Sequence, residues 1–264
     1  IEFKIVPTCY QSNLDVYLNK TLKKNEIYKY KKSLIELTSK IINPKYKIVQ
    51  NEIKLIKKLE DESIKIFNSK LSEIQKIFLL INTCQKYGTL PFAGLARCAF
   101  ISKKIINNLV DDKILKKSSS ENFLASIKTI VNELNKDLIK LKENKIKKNY
   151  FIQKYGHLRP STYSISNLSY RENINYYFNL KKIKKNYENL KSFKFNKYEV
   201  SKINFWLKKN KLRFNANNLI QFTQTSIYYR EKAKFEFSKS IDLLFQVIIS
   251  FLNKHGIKRN DIEF

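Results

Sequence analysis

The stretch ANNLIQFTQTSIYYREKAKFEFSKSIDLLFQVIISFLN, residues 216–253, decides the fold class of this 264-residue chain. Its second half repeats apolar side chains every three or four residues, the spacing that places them on one face of an α-helix. That face consists of Ile241, Leu244, Phe245, Ile248 and Leu252. The pair His255-Gly256 follows, and Gly commonly stands just past a helix end. We therefore predict one long helix over 216–253.

Other stretches show the same spacing, so the sequence predicts a mainly α, multi-helix chain. Pro91 suits the first turn of one of these helices, where its missing N–H costs nothing. Residues 118–121 read Ser-Ser-Ser-Glu, a capping box that would start another, longer helix. The remaining predicted helices cover about 14–42, 49–58, 61–87, 91–109, 170–178 and 197–210.

Two of these predicted helices carry an apolar face that we expect to be buried. In the helix over 61–87, the face consists of Ile74, Ile77, Phe78, Ile81 and Cys84. In the helix that starts at the capping box, it consists of Phe123, Ile127, Ile130, Leu134, Leu138 and Leu141. Gly88 follows the first of these helices, and we predict that it ends that helix.

The first residues of the chain have a different pattern. Residues 2–6 alternate polar and apolar side chains, which is typical of a strand, and Pro7 ends the alternation. We therefore predict that residues 1–12 are the tail of a preceding domain and that 13–264 form a helical domain. The sequence lacks Met entirely, so we expect a fragment of a longer chain. Residues 181–197 are predicted to be a charged, weakly structured connection.

The chain is strongly basic, with a formal net charge of +29. Such a charge often indicates a nucleic-acid partner. Here 46 of the 52 basic residues are Lys, and Asn and Ile are also abundant, as an AT-rich coding sequence would produce. Arg, the usual fork for phosphates and bases, is scarce, which argues against nucleic acid. The few retained Arg residues are therefore worth testing as functional positions: Arg97, Arg159, Arg171, Arg213, Arg230 and Arg259.

The cysteines and the apolar runs indicate the cellular compartment in which we expect the protein. Cys9, Cys84 and Cys98 fit no metal-binding spacing, and three cysteines cannot all pair. We expect reduced thiols in a cytoplasmic protein. No apolar run approaches the roughly 20 residues of a membrane span, and two histidines are too few for a zinc site without cysteine.

The candidate functional segment is 155–173, where the helical pattern is interrupted by Tyr-Gly-His-Leu-Arg-Pro-Ser-Thr-Tyr and, later, Tyr-Arg-Glu-Asn. In a Gly-poor chain an irregular segment is a better site candidate than a helix. Gly156 permits backbone conformations that other residues avoid. His157 can donate, accept or titrate, and Arg159 offers a fork for a carboxylate or phosphate. Tyr163 adds a hydroxyl group and a flat apolar face. Arg171, with its neighbour Glu172, could bond back across the loop.

A purely structural interpretation stays open for this cluster. The His, Arg and Tyr side chains could simply satisfy buried carbonyls and an internal carboxylate. The chain shows no glycine-rich phosphate loop, no Gly-x-Ser-x-Gly elbow and no metal-ligand motif. It therefore lacks the parts of a self-contained enzyme, and we predict no metal site and no cofactor bound through its own motifs.

The hexapeptide Tyr-Gly-His-Leu-Arg-Pro, followed by Tyr-Arg-Glu-Asn, resembles the signature of phosphoenolpyruvate-utilising enzymes. That family includes phosphoenolpyruvate synthase and the rifampicin phosphotransferase group. The stretch 88–97, Gly-Thr-Leu-Pro-Phe-Ala-Gly-Leu-Ala-Arg, and the stretch 229–237, Tyr-Arg-Glu-Lys-Ala-Lys-Phe-Glu-Phe, extend the resemblance. The sequence departs from the pattern at Ser161, Ser164 and 167–169, which puts part of the phosphate- or substrate-binding chemistry in doubt.

The resemblance implies that this chain is the helical middle region of a phosphotransferase of the kinase or dikinase type, inactive alone. ATP and Mg²⁺ would bind a missing ATP-grasp domain, and a missing swivelling domain would carry the phosphohistidine. The region here would hold a small-molecule acceptor or brace the travelling domain. His157 and Arg159 would serve catalysis, His157 by orienting a hydroxyl or phosphate oxygen without being phosphorylated. The implied substrate-binding residues are Arg97, Tyr155, Gly156, Tyr163, Arg171 and Arg230.

Two alternatives from other classes remain. One is a basic helical nucleic-acid-binding module, which would show steep salt dependence. The other is a non-catalytic helical scaffold, which would bind no ligand.

Overall fold

The computed structural model describes residues 20, 22–160, 164–178 and 192–262. These residues are mostly helical and contain no strand, which confirms the predicted mainly α class. The predicted strand at 2–6, the boundary at residue 12 and most of the charged connection lie outside the described residues. The α-helices are α1 (Lys24–Ile42), α2 (Ile48–Phe67), α3 (Glu73–Thr83), α4 (Leu90–Asp111), α5 (Lys117–Ala125), α6 (Ile130–Lys142), α7 (Lys148–Tyr155), α8 (Ile174–Tyr177), α9 (Lys197–Lys209) and α10 (Ala216–Lys254).

The chain packs as two compact units, each built from three separate stretches. The first unit takes its described residues from Ile1–Asn51, Gly94–Ile127 and Leu190–Arg230. The second takes them from Glu52–Ala93, Lys128–Asn189 and Glu231–Phe264. The segment 155–173 therefore belongs to the second unit, together with the C-terminal part of α10.

The helix α10 runs from Ala216 to Lys254 and matches the prediction over 216–253. Two helix boundaries upstream were predicted wrongly. The helix α2 continues without a break through residues 59 and 60, and the chain breaks at 68–72 instead. Ser72 provides the reason, because its hydroxyl accepts from the backbone N–H of Gln75 while the Gln75 side chain accepts from that of Ser72. This reciprocal capping box starts α3.

The predicted long helix from the capping box at 118–121 is also wrong, because it is divided into α5 and α6. The helix α5 ends at Ala125, and a second box at Thr129 and Asn132 starts α6. The Asn132 side chain accepts from the backbone N–H of Thr129 at 2.9 Å. Apolar spacing continues across 126–129, but the local hydrogen bonds end one helix and begin the next.

Gly88 does not end a helix, contrary to the prediction. A wide turn of π-helix over Cys84–Thr89 connects α3 directly to α4, which begins at Leu90. The ring of Phe237 explains the glycine, since a Cβ at residue 88 would stand 2.4 Å from Phe237 Cδ2. Gly88 thus allows a close approach of α10 within the second unit.

The predicted apolar face of α3 is rotated in the structure. Leu80 and Cys84 are buried, whereas Ile74, Phe78 and Ile81 are exposed. Leu80 packs with Leu244 and Val247 of α10. Cys84 and Cys98 are both buried. Within the described part of the chain, no helix has the length and apolar character needed to cross a bilayer.

A second cluster of buried side chains surrounds α7 and positions the candidate site. Phe151 and Tyr155 of α7 are completely buried, and their rings lie 4.9 Å apart. They pack against apolar side chains from α6, α8 and α10, namely Ile130, Leu138, Leu141, Ile174 and Phe235. The end of α7, where the candidate segment begins, is therefore packed against α6, α8 and α10.

Candidate functional site

The candidate segment folds back on itself directly after α7. The backbone N–H of Arg171 donates to the carbonyl of Gly156 at 2.9 Å, and that of Tyr170 donates to the carbonyl of Leu158 at 2.7 Å. These two bonds place the run after Tyr155 beside residues 170 and 171. The described residues between them form turns and bends, as the sequence predicted, and α8 begins only at Ile174 rather than at residue 170.

Gly156 makes room for neighbouring atoms and does not adopt an unusual backbone conformation. This corrects the sequence interpretation. Its φ of −61° and ψ of −23° are ordinary right-handed helical values. A Cβ at this position would stand 2.3 Å from the carbonyl oxygen of Ile152 and 3.2 Å from Cβ of Arg171. The missing side chain therefore lets residue 171 come close to the end of α7.

Tyr155 is anchored by a buried carboxylate. Its hydroxyl donates to Asp137 Oδ2 at 2.9 Å, and Lys154 Nζ donates to the same oxygen at 2.9 Å. Burial raises the pKa of the Asp137 carboxyl, but the hydrogen bonds from Lys154 and Tyr155 outweigh it and hold that pKa below its ordinary value. Burial also raises the pKa of the Tyr155 hydroxyl, so it stays a neutral donor. Tyr155 is thus a fixed structural residue in this geometry.

Arg159 is paired with a second buried carboxylate, Asp242 of α10. Its Nη2 donates to Asp242 Oδ1, and the two side chains are 4% and 3% exposed. The guanidinium also lies 5.0 Å from the ring centre of Phe245 and faces the carbonyl of Asn167 at 3.5 Å. Such a buried charge requires a partner, and Asp242 supplies it. Arg159 therefore positions the segment against α10.

Asp242 also contacts two further side chains. Gln246 Nε2 donates to its Oδ2 at 2.8 Å, and Arg171 Nη1 lies 3.4 Å from the same oxygen. Burial raises the pKa of the Asp242 carboxyl, and the two guanidinium groups oppose that rise. The Arg171 side chain is 47% exposed, so unlike Arg159 it borders solvent.

His157 is buried, and one of its ring nitrogens lacks a hydrogen bond among the described residues. It is 5% exposed, and its ring meets that of Phe235 edge-on at 4.6 Å between centres. The backbone of Phe235 hydrogen-bonds the imidazole, while Nε2 has no hydrogen-bond partner among the described residues. Burial, with Lys239 and Arg171 nearby, lowers the pKa of His157 to about 3. The ring is therefore neutral near pH 7.

His157, Arg171 and Asp242 border a cavity of about 150 Å³ in the second unit. Lys239 borders it and pairs with Glu236 at 2.7 Å and Glu60 at 2.9 Å. Burial alone would lower the pKa of Lys239, but these two carboxylates raise it, so the ammonium group stays charged. The polar lining consists of Glu60, Ser63, Gln153, His157, Arg171, Lys239, Ser240 and Asp242.

Arg259 closes the other side of the segment. Its guanidinium donates to the carbonyls of Ile165 and Asn167 and pairs with Glu172 at 2.6 Å. Glu172 in turn accepts from the backbone N–H of Ser169 at 2.6 Å. Arg259 was one of the retained arginines in the sequence, and the structure shows it holding the return half of the loop.

The structure brings together five of the predicted site residues in the second unit, namely Tyr155, Gly156, His157, Arg159 and Arg171. Arg97, which is exposed, and Arg230, which is partly buried, belong to the first unit. Tyr163, like Ser161, lies outside the described residues.

Sequence reasoning missed Asp242, Lys239 and Asp137. One signal was available for Asp242, because it is the only acidic residue in the apolar run 241–249. A charged residue on a buried helix face must find a partner. No comparable signal is present in the sequence for Asp137 or Lys239, which lie among many charged neighbours.

Among the described residues, no group of three or more His, Cys, Asp or Glu side chains is arranged to hold a metal ion. Comparison with known proteins finds no matching family model, no matching curated protein and no matching solved structure.

Proposed function

We propose that the second unit binds a small anionic molecule in the cavity beside His157 and provides this site to a phosphotransferase that resembles phosphoenolpyruvate synthase. ATP and Mg²⁺ would be bound, and the phosphohistidine carried, by parts other than this segment. The observation that supports the proposal is that Arg171, Lys239 and the buried His157 border one cavity.

Two cations that border the cavity, Arg171 and Lys239, could face an anion there. Two carboxylates, Glu60 and Asp242, border it as well, and His157 is neutral. The proposal therefore depends on the guanidinium and ammonium groups turning toward a ligand, and not on an excess of positive charge in the lining.

The two arginines have different roles in this proposal. Arg159 is buried and committed to Asp242, so it positions the loop. Arg171 is half exposed and lies at a long 3.4 Å from the same carboxylate. It can turn toward a phosphate or carboxylate of a ligand while Arg159 and Gln246 keep Asp242 satisfied. Lys239 would add a point charge to the same group.

Calorimetric titration of the full chain with inorganic phosphate and with pyruvate tests this proposal. We expect binding that Arg171→Gln weakens at least about tenfold, the effect of losing one charge-assisted bond. Lys103→Gln, at an exposed position of the first unit that lines neither this cavity nor that of the first unit, is the control and should leave the affinity unchanged. No binding at millimolar ligand, or equal losses in the two variants, would refute the proposal and favour the scaffold alternative.

A specific observation also supports the nucleic-acid alternative. The first unit contains a cavity of about 400 Å³ whose lining has five cationic side chains, one carboxylate and the exposed ring of Tyr28. Cations beside an aromatic face suit a single-stranded nucleic acid, because phosphates and bases can both be bound. The charged lining residues are Lys31, Lys32, Glu36, Lys209, Lys211 and Arg213.

Salt dependence separates this alternative from the anion site. A nucleic-acid interface made by these side chains would lose affinity steeply and linearly on a log–log salt plot. Fluorescence anisotropy with a labelled oligonucleotide measures that slope directly. Tyr28→Ala together with Lys211→Gln should then reduce binding, whereas Arg171→Gln should not.

A further inference from the structure

The helix α9 of the first unit presents two aromatic rings to solvent. Tyr198 and Phe205 are 66% and 69% exposed. They are seven residues apart, so two turns of helix place them on the same side, about 10 Å apart along the axis. Large apolar side chains that are exposed together mark an interaction surface.

The opposite side of α9 fixes this orientation. Trp206 and Leu207 are buried there, and Trp206 Nε1 donates to Asp112 Oδ2 at 2.6 Å. Just before the helix, Phe195 packs on Phe123 with 4.9 Å between the ring centres. The helix therefore cannot turn its exposed rings into the core of the first unit without breaking these contacts.

Lysine side chains stand on both sides of the two rings. Helical spacing puts Lys202 and Lys209 along one side of the rings. Lys197 and Lys208 lie along the other side. None of the four has an acidic partner among the described residues. The one carboxylate of the helix, Glu199, accepts from the backbone N–H of the N-cap residue at 3.0 Å and so belongs to the helix cap.

Rings flanked by lysines suit the surface of a membrane that contains anionic lipids. Aromatic side chains favour the boundary between head groups and acyl chains, where an apolar ring and a polar edge are both accommodated. The negative potential of such a surface attracts lysines that stand beside the rings. We infer that α9 docks the first unit on an anionic membrane surface, with Tyr198 and Phe205 in the head-group layer. This inference is independent of the proposed anion site, which lies in the second unit.

Nucleic acid, the other polyanion, fits this face less well. Lys202 Nζ lies 4.6 Å from the ring centre of Tyr198, so it covers one of the two ring faces on which a base would stack. Single strands are bound in grooves, whereas these side chains stand on the outward side of one helix. The cations of α9 are all Lys, and Arg is the better fork for single phosphates and bases.

Co-sedimentation of the full chain with lipid vesicles tests the inference. Vesicles of phosphatidylcholine alone are compared with vesicles in which about one third of the lipid is phosphatidylserine. We expect binding to the anionic vesicles only, and weaker binding as the salt concentration rises. Phe205→Ser with Lys209→Gln should lower that affinity about 25-fold, about fivefold for the lost charge and at least as much for the lost ring.

A matched control is needed because the whole chain has a net charge of +29, so other faces also attract an anionic surface. Phe100→Ser with Lys103→Gln makes the same chemical change at two exposed positions of α4 in the first unit. We expect this control to lower the affinity about fivefold at most, the effect of one charge. All changed positions are exposed, and circular dichroism checks that both variants are folded.

Two vesicle results would overturn the inference: equal losses in the α9 and α4 variants, or equal binding to neutral and anionic vesicles. Lys209 also borders the basic cavity of the first unit, so a labelled single-stranded oligonucleotide is a further probe. If the oligonucleotide binds, the α9 variant weakens that binding and anionic vesicles do not bind, the face serves nucleic acid and the inference fails. Phosphate binding in the second unit should be the same in both variants, so the anion site is tested separately.

Discussion

Two buried carboxylates of the second unit, Asp137 on α6 and Asp242 on α10, invite comparison because each holds one side chain of the candidate segment 155–173. Asp137 accepts from Tyr155 and Lys154, and Asp242 accepts from Arg159 and Gln246. Both carboxylates are nearly inaccessible to solvent. The type of contact is thus the same at the two places.

Their surroundings differ. The cationic partners of Asp137 are Lys154 and Lys140, whose side chains extend to the surface at 33% and 52% exposure. Asp242 instead pairs with the fully buried Arg159 and borders the cavity, where Arg171 remains half exposed. A buried carboxylate alone therefore does not identify a site. The incomplete bonding beside Asp242 is what distinguishes it.

The largest expected effect comes from removing the negative charge of Asp242. Asp242→Asn leaves the buried Arg159 guanidinium without a counter-charge, which should lower the free energy of unfolding by about 3–5 kcal/mol. Asp137→Asn is the matched control and should cost only about 1–3 kcal/mol, because its lysines can turn to water. Urea unfolding followed by circular dichroism measures both. Equal costs would show that the two carboxylates have the same role.

The next prediction concerns the pH dependence of the free energy of unfolding. We expect His157, which lies in the region around Asp242, to cause part of that dependence. Its folded pKa of about 3 lies below the ordinary 6.5, so the unfolded chain binds the proton more readily. The stability contributed by the neutral ring is complete above pH 6.5 and is lost as the pH falls toward 3. The linkage slope is about 1.4 kcal/mol per pH unit in that window.

Replacing the imidazole should remove this slope. His157→Phe keeps a flat ring beside Phe235 without a titrating group, so its stability should depend less steeply on pH between 6.5 and 5 than that of the unaltered protein. Thermal or urea unfolding at several pH values provides the comparison, and His255→Phe at an exposed position is the control. Parallel curves for all three proteins would show that folding does not lower the pKa of His157.

A smaller effect tests the closed region around Asp137. Tyr155→Phe removes the hydroxyl that donates to Asp137 and leaves Lys154 in place. The expected loss in the free energy of unfolding is about 1–2 kcal/mol, the contribution of one hydrogen bond to a charged group. Anion affinity in the calorimetric assay should not change. A loss of affinity without a loss of stability would instead place Tyr155 in the binding site.

The smallest expected effect on stability belongs to Arg171. Its half-exposed contact with Asp242 is screened by solvent, so Arg171→Gln should change the free energy of unfolding by less than about 1 kcal/mol. Arg159→Gln should cost several times more, because its pair is buried. The ratio of these two losses in urea unfolding measures the difference between the arginines. Similar losses would remove the distinction on which the anion site depends.

Part of this site was predictable from the sequence. The interruption of helical spacing after Tyr155 correctly indicated the irregular segment, and the retained arginines included three that the structure places around it, Arg159, Arg171 and Arg259. Their partners were not predictable. Asp242 is 83 residues from Arg159, and no local pattern links the two positions.

Gly88 and Gly156 also separate what was predictable from the sequence from what was not. Gly88 followed an apolar helical stretch and was expected to end it, and Gly156 was expected to need an unusual conformation. Both positions instead accommodate a close neighbour, Phe237 in one case and the Ile152 carbonyl in the other. A close neighbour in space does not change the spacing of residues along the chain. The sequence therefore could not show whether a glycine makes room for a neighbour or adopts a special backbone conformation.

Local patterns in the sequence were enough to predict the mainly α class, the long helix α10 and the position of the irregular segment. These features depend on spacings of three or four residues and on local hydrogen-bonding side chains, which are all present within a short window. The tertiary structure was needed to find which carboxylate neutralises which cation, which face of α3 is buried, and that His157 is buried with no hydrogen-bond partner for Nε2 among the described residues. Those outcomes depend on burial and on contacts between residues far apart in the chain, where the cost of an unpaired buried group selects the arrangement.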